Sequence, residues 1–245
     1  MPRCPVERHP ERPLILALDA AGSAASVVVA RGEAILSRRH VPTRHGQAET
    51  LLPLVDAAMR EAGLSPASLD LVAVTVGPGG FTGIRVGLAA ARGIALASGA
   101  GLFGVTGFEA VAAALFRDGA GAARLLVALE SRREDLYVQL FDGDGRPLAP
   151  PASAMPAALA RMPDLEAEAG ALVIAGDAAE RAAAAMPRAR IARIVSSSAD
   201  VARGAAIVAD RAWLGGARGN PARPLYLRPP DVTLSPARQT AAAQP

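Results

Sequence analysis

Two rhythms of apolar residues alternate along this chain. The short runs 14–20, 25–30, 34–40, 71–76 and 102–105 predict strands, and the nearly unbroken apolar character of 71–76 marks that one as buried. Between them, Leu51, Val55, Met59 and Ala62 recur at helical spacing within 47–62, and 82–98 and 108–116 read as helices. Pro53 is expected to kink the first helix or to confine regular helix to the part after it. The turns Ala21-Gly22-Ser23 and Arg31-Gly32-Glu33 are short, so the first three strands form antiparallel hairpins.

The second half carries a fainter version of the same order. Residues 125–129 and 136–141 make a hairpin-like pair, 171–175 a buried strand and 199–214 a helix. The stretch 143–170, rich in Pro and Ala, is expected to be irregular with one short helix, and 225–227 to add a short strand. Three antiparallel strands followed by helix-strand-helix-strand is one half of an actin-like, hexokinase-like duplicated domain. The expected fold is therefore α/β, an ASKHA duplicated two-lobed fold with mixed sheets flanked by helices. Its parts would be a disordered leader 1–13, a first lobe 14–106, a smaller second lobe 107–228 and a disordered tail 229–245, with helix 199–214 free to pack back on the first lobe.

Composition narrows the chemistry. All 26 Lys+Arg residues are Arg, which excludes a P-loop, Schiff-base catalysis and a Ser-Lys dyad. Hydrophobic content of 51% with 20% charge marks a folded chain, although much of it is alanine and the core is thinner for that. The single cysteine, Cys4, rules out an intrachain disulfide and fits a reducing compartment. Residues 1–13 lack the apolar core of a signal peptide, and Arg85 and Arg92 interrupt the most apolar helix, so a cytoplasmic protein with no membrane partner is expected. Aromatics at 3% and a net charge of only +3, without a dense basic block, favour a solvated arginine surface over a nucleic-acid patch.

The stretch richest in chemistry is LVAVTVGPGGFTGIRVGLAAARGIAL, 71–96: strand, the turn Gly77-Pro78-Gly79-Gly80, then a helix with Thr82 as its expected N-cap. Two readings stand, an anion-binding corner or a tight connection without a ligand. The glycine order resembles a dinucleotide fingerprint only loosely, and the next strand lacks the acidic residue that fingerprint needs. Resemblance to actin-like ATPases would make Asp19, at the end of the first strand, the carboxylate that orders metal-bound water near phosphates. The local sequence favours a turn cap instead, since Ala20-Ala21 offers no side-chain donor and only Ser23 stands in for one. Asp19, Ser23, Gly77, Gly79, Gly80 and Thr82 are accordingly the candidate vestigial phosphate site. Glu130, Glu134 and Asp135, with Arg132 and Arg133, read as a solvated ion-pair cluster at a hairpin turn. Ser196-Ser197-Ser198 read as a helix cap, since no histidine is placed to serve a nucleophile.

The run GPGGFTGIRVGLAAARGIALASGAGLFGVTGFEAVAAAL, 77–115, resembles the TsaB (YeaZ) family. LILALDAAGSAASVVVA at 14–30 and HGQAETLLPLVDAAMREAGL at 45–64 agree, while LLVALESRREDLYVQLFD and PLYLRPPDV match more weakly. The paralogous TsaD family carries a His-x-x-x-His metal pair after the equivalent strand. Laid over that motif through the shared glycine loop, this chain has Gly107 and Val111 in those places, with Glu109 between them, and His9, His40 and His45 lie elsewhere without partner spacing. No metal and no catalytic residue are therefore expected. The resemblance implies a subunit that pairs with a TsaD-like paralogue and recruits a TsaE-like ATPase. The complex would transfer threonylcarbamoyl to the adenosine 3′ of the anticodon in tRNAs reading A-starting codons. It places the partner interface on Glu49, Leu52, Arg85, Leu88, Ala89 and Arg92, on the first two long helices, with the small-residue stripe Gly83, Gly87, Ala91 and Ala95 letting another backbone approach. No cofactor is expected on this chain alone; ATP or ADP at the complex interface stays open, as does a homodimer when the chain is alone. The alternative is an autonomous ASKHA-type ATPase or kinase.

Overall fold

In β1 (Leu14–Asp19), Leu14, Leu16 and Leu18 face one way and Ile15 and Ala17 the other, and both faces are buried. That double burial sets the architecture, because each face needs its own helical layer. In the computed structural model, which describes residues 12–32, 34–42, 47–117, 124–162, 165, 172–196 and 201–228, β1 is followed by β2 (Ala24–Arg31), β3 (Ala34–Pro42), α1 (Gln47–Glu61), β4 (Leu71–Thr75), α2 (Phe81–Ser98) and β5 (Gly101–Val105). Next come α3 (Gly107–Arg117), β6 (Arg124–Glu130), β7 (Leu136–Phe141), β8 (Ala152–Ala154), β9 (Leu172–Ala175), α4 (Ala179–Ala184), β10 (Ile191–Val195) and α5 (Val201–Leu214).

The strands form two five-stranded sheets, ordered β3-β2-β1-β4-β5 and β8-β7-β6-β9-β10. In each, the first three strands pair antiparallel and the last two add in parallel. The expected duplicated, actin-like arrangement is the one observed. Lobe 1 stacks α1 and α2 on the Leu14-Leu16-Leu18 face, while α5 and the Ala110 side of α3 cover the Ile15-Ala17 face. In lobe 2, α3 returns with Phe108, Val111 and Ala112 against Leu125, Val127 and Tyr137, and α4 packs on the opposite side. Thus α3 and α5 are a shared layer between the lobes, and the loops at the ends of β1 and β6 meet beside it.

Several expectations need correction. The stretch 143–170 has the short helix expected of it, a 3-10 helix at Pro156–Arg161, but also a strand, β8, and β10 is a strand that the apolar pattern does not predict. Residues 225–227 form no strand; Leu225 N–H instead donates to Val76 O at 2.7 Å. Helix α1 runs through Pro53. Most of the leader, the tail, Cys4, His9, His45, Ser197 and Ser198 lie outside the described residues.

Candidate functional site

Two regions answer to the candidates, the cleft between the lobes and the outer face of α2. The cleft is built where β1 ends. Asp19 is 3% exposed, and its Oδ1 accepts hydrogen bonds from Thr75 Oγ1 at 2.5 Å and from Ala21 N at 3.1 Å. Burial pushes its carboxyl up to about 6, the two hydrogen bonds pull against that, and the nearby charge of Asp177 adds to the rise. Asp177 comes from lobe 2, just past β9. It accepts from Ser23 Oγ at 3.1 Å and from Glu130 N at 2.9 Å. Arg132, held at a φ of 63° in the turn before β7, reaches across to donate to Gly22 O at 3.2 Å.

The glycine loop closes the floor of this cleft with backbone. Gly80 N–H donates to Ala21 O at 2.8 Å, and Gly79, at a φ of 157°, lies so close that a Cβ would strike that carbonyl. A Cβ on Gly83 would strike Ala20 O. The Ala20-Ala21 turn therefore occupies the space above the loop and the start of α2. What remains open between Asp19, Ser23, Pro78, Gly107, Glu130 and Asp177 is about 30 Å³. Room for one water needs at least about 10–15 Å³ on this measure, and small-molecule sites run to about 300–1,000 Å³.

Asp19 and Ser23 line the cleft and Gly79 and Gly80 lie against Ala21 beside them, whereas Gly77 packs on Ile84 and the Leu225 carbonyl, and Thr82 is not the cap. Helix α2 starts at Phe81 with Gly80 as N-cap and no side-chain bond, leaving Thr82 exposed in the first turn. Asp177 was missed, although its Gly-Asp turn follows β9 just as the glycine loop follows β4. Glu109 closes a reciprocal cap at α3: it accepts from Thr106 N at 2.8 Å, and its own N–H donates to Thr106 Oγ1 at 3.1 Å. Among the described residues, no group of three His, Cys, Asp or Glu could hold a metal.

The expected solvated cluster is two separate constructions. Glu130 pairs with Arg181 at 2.5 Å, a cation supplied by α4. Asp135 is 3% exposed; it accepts from Ser131 at 2.8 Å and from Ser153, and Arg228 lies 2.5 Å away. Burial works to raise its carboxyl, yet those hydroxyls and the Arg228 charge outweigh it and hold the group below its ordinary value.

On α2, the stripe Gly83, Gly87, Ala91 and Ala95 is buried against the protein's own first lobe. It brings α2 close to its sheet and offers nothing to another chain. Leu88, 3% exposed within the same core, is likewise withdrawn from the candidate interface. Glu49, Leu52, Arg85, Ala89 and Arg92 are exposed, Leu52 by 54%. Leu96, 87% exposed, belongs with them. Its signal was present, since 85, 89, 92 and 96 share one helical face. Arg85 lies over the Phe81 ring at 3.6 Å, a cation–π contact at the rim of this face.

The model of the family "TsaD: tRNA N6-adenosine threonylcarbamoyltransferase" matches residues 39–212. A solved structure from Pseudomonas aeruginosa, described as similar to peptidase YeaZ, superposes with a TM-score of 0.75 at 27% identity, covering 88% of this chain and all of that one. The TsaB protein of Escherichia coli, named for tRNA threonylcarbamoyladenosine biosynthesis, is 32% identical over 131 residues, 53% of this chain and 55% of its own length. The chain belongs to the TsaD family, on its TsaB (YeaZ) side. An uncharacterized protein of Mycobacterium tuberculosis is 30% identical over 221 residues, 89% of this chain and 93% of that protein. This family serves tRNA threonylcarbamoyladenosine biosynthesis. No helix among the described residues is long and apolar enough to cross a membrane.

Proposed function

We propose that this chain is a non-catalytic subunit that binds and activates a TsaD-like paralogue in forming threonylcarbamoyladenosine on tRNA. The observation that carries the reading is the pairing of a nearly filled cleft, about 30 Å³, with an uncovered face on α2. An opening of about 30 Å³ beside Asp19 is far smaller than the usual small-molecule site of about 300–1,000 Å³, which supports a chain that holds no nucleotide there on its own. Leu52 on α1 and Ala89 and Leu96 on α2 are exposed apolar positions, and Glu49, Arg85 and Arg92 on the same two helices are exposed charges, the composition of a protein-binding surface. In this reading the subunit stabilises one lobe geometry of its partner, a population shift that requires differential contacts with the partner's states. A TsaE-like ATPase and tRNA join through the complex, and any phosphate contact by this chain is made by arginine.

The test is reconstitution of tRNA modification from the paralogue, the ATPase and tRNA, with and without this chain. Modification is expected only when the chain is present. The double variant Leu52→Glu, Ala89→Glu alters exposed positions alone, so it is expected to stay folded and to bind the paralogue at least about tenfold more weakly by titration. Undiminished binding would remove α2 from the interface. Steady ATP hydrolysis by the isolated chain, abolished by Asp19→Ala, would replace the whole reading with an autonomous ATPase.

A further inference from the structure

After α5 the chain crosses the molecule as a strap, 217–228. Its first part covers the open edge of β5. Asn220 N–H donates to Leu102 O at 2.8 Å, while its side chain accepts from Gly104 N at 2.7 Å and donates to Gly104 O at 2.9 Å. Ala222 is buried, and its carbonyl accepts from Arg92 at 3.3 Å. Farther along, Leu225 packs on the cores of both lobes, and the Tyr226 ring lies 5.2 Å from Phe81. The last described residues belong to lobe 2. Leu227 joins its core, and Arg228 meets the buried Asp135 that Ser131 and Ser153 already hold.

We propose that this strap is an inter-lobe latch whose catch is the Arg228–Asp135 ion pair, and that it sets the spacing of the cleft. The strap does not fill the space it crosses: a groove of about 330 Å³ opens beside it, lined by Gly80, Phe81, Ser131, Tyr137 and Tyr226. It is a bridge tied at its two ends. Two polar contacts across the cleft, Ser23 to Asp177 and Arg132 to Gly22, are exposed, and such contacts hold little in water. The shared α3–α5 layer joins the lobes but permits the small sliding that packed helices allow. The catch is of another kind. Asp135 is almost fully buried and held by Ser131 and Ser153, so parting from Arg228, which borders the open groove, leaves that carboxylate without its counter-charge, and that makes release a discrete event.

Electron–electron distance measurement between spin labels tests this in the full chain. The labels are Arg60→Cys in lobe 1 and Arg188→Cys in lobe 2, both exposed, in a Cys4→Ser background. Arg228→Gln is expected to broaden the distance distribution about twofold and move it to longer separations. Because that variant leaves a buried carboxylate unpaired and can unfold, Tyr226→Ala serves as the second; it loosens the strap at Phe81 without stranding a charge and is expected to broaden the distribution in the same direction. Hydrogen exchange at the Leu225 amide, about tenfold faster in either variant, reports that the strap has been released. A released strap with an unchanged distance distribution would overturn the proposal, because the strap would then fray without the lobes parting.

Discussion

Asp19→Asn is expected to raise the melting temperature at pH 8 by several degrees and to erase a slope in stability between about pH 4 and 7. The carboxyl is held near 6 in the folded chain against an ordinary value of 3.8, with burial as the largest cause. Its folded state therefore binds the proton more tightly than the unfolded state does. Stability from this group is full below about pH 4, declines as pH rises through about 6 and is flat beyond. The rise from 3.8 to about 6 corresponds to about 3 kcal/mol lost on ionisation. Asparagine keeps the oxygen that accepts from Thr75 and Ala21, and it sheds the charge that burial and Asp177 oppose. Thermal melts at pH 5 and pH 8, wild type against variant, decide it. An Asn variant less stable than wild type at pH 8 would mean that the ionised form is supported by contacts other than these, as a working phosphate site requires.

The second large effect is mechanical. Gly204, in α5, packs so tightly against α3 that a Cβ would be driven into the Ala110 carbonyl. Backbone cannot rotate away as a side chain can, so Gly204→Ala must push the two helices of the shared layer apart. Both lobes lean on that layer, Ala110 and Ala205 toward the first sheet and Phe108 and Val111 toward the second. The expected cost is about 3–5 kcal/mol, at the upper end of overpacking, offset only slightly by the better helix propensity of alanine. Urea denaturation gives the number, and a loss under about 1 kcal/mol would show that the crossing relaxes freely.

The first lobe was legible because β1, β2 and β4 are apolar on both faces and glycine turns follow them. The second was legible in its order only. β10 reads IARIV, with Arg193 outward, and β8 has three residues; short, half-exposed edge strands carry little periodic signal. Asp135 looked solvated because its local neighbours are charged, whereas the cation that pairs with it, Arg228, lies 93 positions along (228 − 135), and such a pairing leaves no local trace. The misassigned face of α2 has a different cause. A helix apolar almost all round does not announce which side its own sheet will take, and here the positions without bulky side chains took it because Ala20 and Ala21 approach the helix closely. The sheet-facing glycines drew Leu88 inward and left Leu96 outside.

The position of α5 constrains how a ribosome can deliver this molecule. One face of the first sheet, carrying Ile15, Ala17, Val28 and Ala73, has only the Ala110 side of α3 over it until residues 201–214 have been synthesised, since α5 supplies Ala202, Ala205 and Ala209 to complete the cover. A nascent chain interrupted before 201 would display that greasy surface in a half-built state, which is the kind that aggregates or calls for a chaperone. The earliest strands to leave the exit tunnel are among the last to find shelter.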